Sequence, residues 1–297
     1  MKILLLGKNG QLGWELQRAL SPLGELIALD RLGKNGLCGD LTDLEGLCNT
    51  IATLKPDVII NAAAYTAVDK AESEPRLAQL INTEAPQVLA QEALKIGAWL
   101  LHYSTDYVFD GSGNRAWCES DATGPLSHYG QSKLAGEQAI QNSGCKHLIF
   151  RTSWVYSSRG NNFAKTMLRL ASERKMLFVI HDQIGAPTSA ALLADCTAHA
   201  LQRAICDPQL AGLYHLAASG QTTWYEYASL VIEHAQAIGK ELMVTDIKPI
   251  STLEYPTPAK RPLNSKLNTT KFCNSFGLVL PEWQKGVIRM LDETIKN

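Results

Sequence analysis

The sequence of 297 residues lacks the signatures of several protein classes. Its seven cysteines (Cys38, Cys48, Cys118, Cys145, Cys196, Cys206 and Cys273) are odd in number, scattered, and contain no C-x-x-C pair. That excludes a disulfide framework and a cysteine zinc site, and it fits the reduced thiols of a cytoplasmic protein. None of the seven histidines stands in an H-E-x-x-H pattern. Neither sign of charge prevails: 28 Lys+Arg against 29 Asp+Glu leave a formal net charge of -1, so nothing draws the chain to nucleic acid or to an anionic membrane surface. Long hydrophobic runs are missing too. The start, MKILLLG, holds only the apolar run Ile3–Leu6 before Gly7, too short for a signal segment or a membrane span. No repeat of fixed period and no low-complexity stretch occurs. With 45% hydrophobic and 19% charged residues, the chain has the composition of a globular protein able to bury a core without staples.

What is present is alternation. Strand-length apolar runs at Ile3–Leu6, Leu26–Leu29, Val58–Ile60, Trp99–Tyr103 and His147–Arg151 are separated by helically spaced segments at Gln11–Leu20, Leu44–Leu54, Leu77–Lys95 and Tyr129–Gln141. Continuous apolar runs suit parallel strands covered on both faces by helices, so the fold class is a doubly wound parallel α/β sheet. After about residue 150 the pattern loosens. Strands are expected at Met176–Ile180 and Leu213–Leu216, and helices at Ala190–Ala204, Tyr225–Ala237 and from Pro281 onward. The proline-rich stretch Lys248–Asn264 reads as an extended loop. We expect residues 1–150 to form a dinucleotide-binding part and residues 151–297 a smaller, less regular part that interleaves with it and mainly binds substrate.

The first strand runs into Gly7-Lys8-Asn9-Gly10-Gln11-Leu12-Gly13, a G-x-x-G-x-x-G turn that opens a helix. Glycines there let the backbone approach a pyrophosphate, and the helix N-terminus offers free N–H groups and a positive dipole end. Asp30 closes the second strand, where a carboxylate meets an adenosine ribose. A nicotinamide dinucleotide is the ligand these features suggest. Asp30 favours NADH through the ribose hydroxyls, whereas Arg31 offers a contact to the 2′-phosphate of NADPH, so both are expected to serve.

Tyr129-Gly130-Gln131-Ser132-Lys133 is Y-x-x-x-K at a helix start, placing phenol and ammonium on one helix face. A surface Tyr and Lys one turn apart would read the same. A nearby cation lowers the pKa of a phenol from about 10, and at an effective dielectric of 20 the effect reaches about 4 kcal/mol at 4 Å. Upstream, Leu100-Leu101-His102-Tyr103-Ser104-Thr105-Asp106 brings polar residues to the carboxyl end of a strand, the ligand edge of such sheets. Ser104 or Thr105 could there donate a hydrogen bond to a carbonyl beside the phenol.

The segments GKNGQLG, NAAAYTAVDKAE, STDYVFDG, YGQSK and RTSWVY, in that order, resemble the extended short-chain dehydrogenase/reductases of Rossmann-like fold. Within them, GNNFAKTMLRLA, DQIGAPTSA, GLYHLAASG and TPAKRPLNSKLNT resemble the dTDP-4-dehydrorhamnose reductase family, so the likeness covers essentially the whole chain. The resemblance implies that Gly10, Gln11 and Leu12 hold the pyrophosphate and Asp30 the adenosine ribose. By the same likeness, Asp40 and Leu41 lie by the adenine, and Ala64, Tyr65, Thr66 and Tyr103 line the dinucleotide's path. It further implies that Lys133 holds the nicotinamide ribose and tunes Tyr129, that Thr105 and Asp106 contact the sugar, and that Trp154 packs against it. The implied activity is reduction of a 4-keto nucleotide sugar by NADPH or NADH, with Tyr129 as proton donor and rhamnose-containing surface polysaccharide as the destination of the product.

Two other functions share these motifs: a sugar-nucleotide epimerase, which returns the hydride to the sugar, and a non-catalytic dinucleotide-binding regulatory subunit. Thr105-Asp106-Tyr107 has no glutamate after Asp106, which disfavours a dehydratase. Lys260 and Arg261 could neutralise a substrate diphosphate, though isolated basic residues are more often simply solvated. Members of the family have been associated with Mg²⁺ near a dimer interface. Here Glu15 is the only metal candidate and Ser189-Ala190-Ala191 supplies no carboxylate, so a tight site is not expected. The resemblance leaves room for a homodimer, on which the residues themselves say nothing.

Overall fold

The structure is a computed structural model and describes residues 1–295. Six strands form one all-parallel sheet: β1 (Lys2–Leu6), β2 (Glu25–Leu29), β3 (Val58–Asn61), β4 (Trp99–Thr105), β5 (Lys146–Thr152) and, beyond a long excursion, a strand over Gly212–His215. Their spatial order places β2, β1, β3, β4 and β5 side by side with Gly212–His215 at the far edge. This is the doubly wound topology expected from the apolar runs, and the strand order reverses beside β1. Period-2 alternation explains the two cores. Ile3, Leu5, Val58, Ile60 and Leu101 point to one face, against Leu16 and Leu20 of α1 (Gln11–Leu20) and Leu193 and Leu201 of Ala190–Cys206. Leu4, Leu6, Ile59, Leu100 and Ile149 point to the other face, against Leu47 and Ile51 of α2 (Leu44–Leu54) and Leu89 and Ala93 of α3 (Ala85–Ile96).

The helix expected over Leu77–Lys95 is interrupted. Pro75–Gln79 gives way to a wide π-type turn at Leu80–Glu84 before α3 begins. Asn82 accounts for the break: its Oδ1 accepts from Tyr65 N (2.9 Å), and its Nδ2 donates to Tyr65 O (3.1 Å) and Ser132 Oγ (3.0 Å). Widened turns of this kind often accompany functional sites. The next helix, α4 (His128–Ser143), carries the Y-x-x-x-K motif and is capped by Ser127 Oγ, which accepts from Gly130 N.

A third core joins the later elements, with Tyr156, Met167, Leu177, Tyr227, Val231 and Trp283 packed together. Here the structure corrects two expectations. Lys248, Pro249 and Ile250 are not loop: they belong to a strand, Asp246–Ile250, paired in parallel with Met176–Ile180. Pro249 is tolerated because this two-stranded ribbon offers it an edge. The last helix starts at Trp283 rather than Pro281, because Pro281 O accepts from Ser219 N (2.8 Å) and Glu282 forms a bridge with Ser219. A short helix at Thr270–Phe276 was not anticipated. No helix among the described residues is long and apolar enough to cross a membrane.

Candidate active site

The turn after β1 shows why glycine stands where it does. Gly7 has φ +87°, and a Cβ there would lie 2.8 Å from Ala63 N; a Cβ on Gly13 would lie 2.0 Å from Gly7 O. Gly10 is the N-cap of α1 and makes no side-chain cap, so the helix N-terminus is left open for an anion. The cradle therefore fits a dinucleotide pyrophosphate. Leu12 packs on the core beneath it. Gln11 turns instead to the later part of the chain: its Oε1 accepts from Asn162 Nδ2 (3.3 Å) and Ser157 Oγ (3.4 Å). Asn162 also caps the helix Phe163–Glu173, which accounts for one asparagine of the Asn161-Asn162 pair.

At the end of β2, Asp30 Oδ2 accepts from Asn9 Nδ2 (2.8 Å) and lies 3.3 Å from Lys8 Nζ. Burial pushes the Asp30 carboxyl up, but Lys8, Asn9 and the Leu32 N–H outweigh it and hold the group below its usual value. Arg31 is paired with Asp40 (3.1 Å), whose other oxygen takes the Thr42 N–H and hydroxyl. Both charges that would choose between cofactors are thus already partnered. Exposed pairs are worth no more than about 1 kcal/mol, and a tenfold preference needs about 1.4 kcal/mol. NADH and NADPH are expected to give kcat/KM values within about tenfold of one another. Asp30→Ala is expected to weaken NADH and to spare or improve NADPH in paired steady-state titrations. Equal losses for the two cofactors would contradict this.

Ala64 and Thr66 follow β3, and Thr66 O accepts from Val68 N (2.9 Å). Tyr65 is held at both ends, its N–H by Asn82 and its phenol by Glu74 (2.6 Å), which pushes the phenol up to about 12. Leu41 is buried beside the second strand. The Tyr103 side chain points into the core and bonds Thr197 (2.7 Å). Only its backbone carbonyl reaches the site, where it accepts from Lys133 Nζ (2.6 Å).

At the carboxyl end of β4 the Thr105 hydroxyl, which donates to Asp106 Oδ1 (3.1 Å), lies near enough to the Tyr129 phenol to lower its pKa. Ser104, the other candidate, points to the opposite face of the strand, and its Oγ is buried without a hydrogen-bond partner among the described residues. The Tyr129 phenol is pushed up to about 12 by burial, with Asp106 adding to the rise and Thr105 opposing it. The net direction is up, against the expectation that a nearby cation brings it down. The lysine is itself buried, at 2% exposure, and its Nζ is directed at the Tyr103 carbonyl and the His102 ring. Burial brings Lys133 down to about 8, against an opposing pull from Glu137. Asp106 is pushed up to about 6 by burial, and its Oδ2 has no hydrogen-bond partner among the described residues.

Trp154 has φ +49° and stacks on Trp224 at 3.6 Å, a partner the sequence pattern did not show. Trp224, Gln183, Phe163, Tyr255 and Arg261 line a cavity of about 730 Å³. Arg261 pairs with Asp69 (2.8 Å) and leaves Nη1 buried without a hydrogen-bond partner among the described residues, whereas Lys260 is exposed. Glu15 is engaged by Arg18 (3.4 Å), which also takes Asp195 (2.7 Å). Among the described residues no three His, Cys, Asp or Glu side chains gather to hold a metal ion. Activity is expected to be unchanged by EDTA. A loss on chelation restored by Mg²⁺ would contradict this.

A phenol and a hydroxyl at the carboxyl end of β4, a buried lysine one turn along α4 and a glycine turn after β1 of a doubly wound sheet define an NAD(P)H-dependent oxidoreductase of the short-chain dehydrogenase/reductase type. The chain belongs to the family described as RmlD substrate binding domain, whose model matches residues 1–295. It is 60% identical over 293 residues to the dTDP-4-dehydrorhamnose reductase of Escherichia coli, covering 99% of this chain and 98% of that protein. The Burkholderia thailandensis enzyme of the same name is 45% identical, with 97% of each chain covered. Among solved structures, dTDP-4-dehydrorhamnose reductase from Bacillus anthracis in complex with NADP superposes with a TM-score of 0.88 at 35% identity, covering 99% of this chain and 100% of that one.

Proposed function

We propose that this protein reduces dTDP-4-dehydro-β-L-rhamnose to dTDP-β-L-rhamnose in the cytoplasm, with NADPH or NADH as reductant. The observation that carries this reading is the Thr105 hydroxyl beside the Tyr129 phenol at the carboxyl end of β4, in a chain alike from end to end to reductases of that name. The dinucleotide, when bound, supplies a hydride to the carbonyl carbon. Everything else falls to side chains of this protein. Tyr129, kept protonated by burial, gives its phenolic proton to the carbonyl oxygen as charge develops there. Thr105 orients the phenol, and the Lys133 ammonium, one turn along α4, favours the phenolate left behind. Asp106 Oδ2 accepts from a sugar hydroxyl, and Arg261 Nη1 meets the diphosphate; each atom is buried and has no hydrogen-bond partner among the described residues. Trp154 offers its face to the sugar. Residues 1–150 take the dinucleotide, and residues 151–297 mainly the sugar nucleotide.

Product analysis tests the reaction class. NMR of the sugar product is expected to show a 4-hydroxyl formed in step with cofactor oxidation. Recovery of an isomerised sugar with the cofactor unconsumed would favour an epimerase. Cofactor binding without any sugar conversion would favour the regulatory subunit.

A further inference from the structure

Beneath the site, Asn61, His102 and Lys133 form a buried polar row at 1%, 1% and 2% exposure. Asn61 and His102 are register partners on β3 and β4. The ring's Nδ1 lies 3.2 Å from Asn61 Nδ2, and its Nε2 lies 3.2 Å from Lys133 Nζ. Both neighbours are therefore nitrogen donors. A neutral imidazole has one acceptor nitrogen and one N–H, so it cannot accept from both. The Asn61 amide is oriented by its own oxygen, which accepts from Ala63 N (3.2 Å).

Two arrangements resolve the conflict. In one, Asn61 donates to Nδ1, the ring hydrogen sits on Nε2, and Lys133 must accept it as a neutral amine. In the other, a charged Lys133 donates to Nε2, the ring hydrogen sits on Nδ1, and Asn61 turns its oxygen to it, releasing the Ala63 N–H. We propose that His102 is a positioning residue for the reduction, whose choice of ring tautomer, set by Asn61, governs whether Lys133 carries its charge. The reading rests on the reductase function above, in that Lys133 must be charged to favour the Tyr129 phenolate.

The surroundings support a neutral ring. Burial first, and the Lys133 charge second, lower the His102 pKa well below its usual value, so the ring itself stays uncharged near pH 7. Lys133 is the charge bearing on His102, and Glu137 is the charge bearing on Lys133; Glu137 is itself paired with Arg151 of β5 at 2.6 Å. The device also links two loops, because Ala63, whose N–H is held in one state and released in the other, lies against Gly7 of the pyrophosphate turn.

The wild-type protein provides the first test. Long-range ¹H–¹⁵N spectra distinguish the tautomers, and His102 is expected to carry its hydrogen on Nδ1 at about pH 6 and on Nε2 at about pH 10, the change following Lys133. A single tautomer across that range would overturn the proposal. Variants give an independent readout in the alkaline limb of the kcat profile. Asn61→Asp accepts from both Ala63 N–H and Nδ1–H, and His102→Gln offers Lys133 an oxygen; each is expected to move the limb up by about one pH unit, a tenfold change in proton concentration. His102→Leu removes the partner and is expected to move it down. Limbs unmoved, or moved in one direction by all three, would overturn the proposal. Because the ring spectrum needs no variant, a poorly folding substitution leaves the test intact. A failure of the reductase reading itself would appear separately, as absence of turnover by wild type.

Discussion

Tyr129→Phe is expected to lower kcat by about 10²–10⁴-fold, or about 2.7–5.5 kcal/mol of barrier, while leaving the melting temperature and dinucleotide affinity close to wild type. The ring remains to pack edge-on against Tyr107, whose centroid lies 5.6 Å away; only the proton donor is removed. The pH dependence carries a sign. The Tyr129 phenol, pushed up to about 12, is in its donor form throughout the neutral range, so the phenol does not limit the rate there. Lys133, brought down to about 8, loses its charge as pH rises through that value, and activity is expected to fall with it. Steady-state rates across pH would check both statements. Retention of more than about a third of the wild-type rate by Tyr129→Phe would require another acid.

The largest expected effect on stability lies away from the reacting groups. Arg151 on β5 and Glu137 on α4 form a buried bidentate pair, with Nε donating to Oε1 (2.9 Å) and Nη2 to Oε2 (2.6 Å). The guanidinium also lies 5.0 Å from the centre of the Phe109 ring. Arg151→Met keeps the volume and the ring contact but strands a carboxylate in the interior. Breaking such a pair costs about 3–5 kcal/mol. For a chain of this size that lowers the melting temperature by roughly 6–20 °C. Denaturant titration checks it, and Arg151→Met with Glu137→Gln is expected to regain much of the loss, since no buried charge is then left alone. A loss below about 1 kcal/mol would show that water reaches Glu137.

Much of the sheet was legible because its signal is local. Ile3–Leu6 and Val58–Ile60 are apolar at every position, as strands covered on both faces must be, and α1 and α2 have the bounds that spacing indicates. The π-type turn at Leu80–Glu84 was hidden because those residues are compatible with an ordinary helix; Asn82 reaching back to Tyr65 imposes the widening. The two-residue strands Val155–Tyr156 and Thr188–Ser189 depend on each other and carry no period of their own. At the site, motif spacing singled out Tyr129 and Lys133, while the strand-end residues left Ser104 or Thr105 open. It could not show where the lysine points. That depends on His102, which in sequence is one residue of a buried strand, and on the Tyr103 carbonyl, which no side-chain pattern reports. The Trp224 partner of Trp154 stands 70 positions further on and was equally invisible.

The most direct test of the central claim is absorbance of the reduced nicotinamide with purified protein and a panel of nucleotide 4-keto sugars. Oxidation is expected with the dTDP-4-keto-6-deoxy sugar, with either NADPH or NADH, and in proportion to the keto sugar added. Cofactor that binds but is not oxidised in the presence of that sugar would contradict the assignment of Tyr129, Thr105 and Lys133 to a reductase.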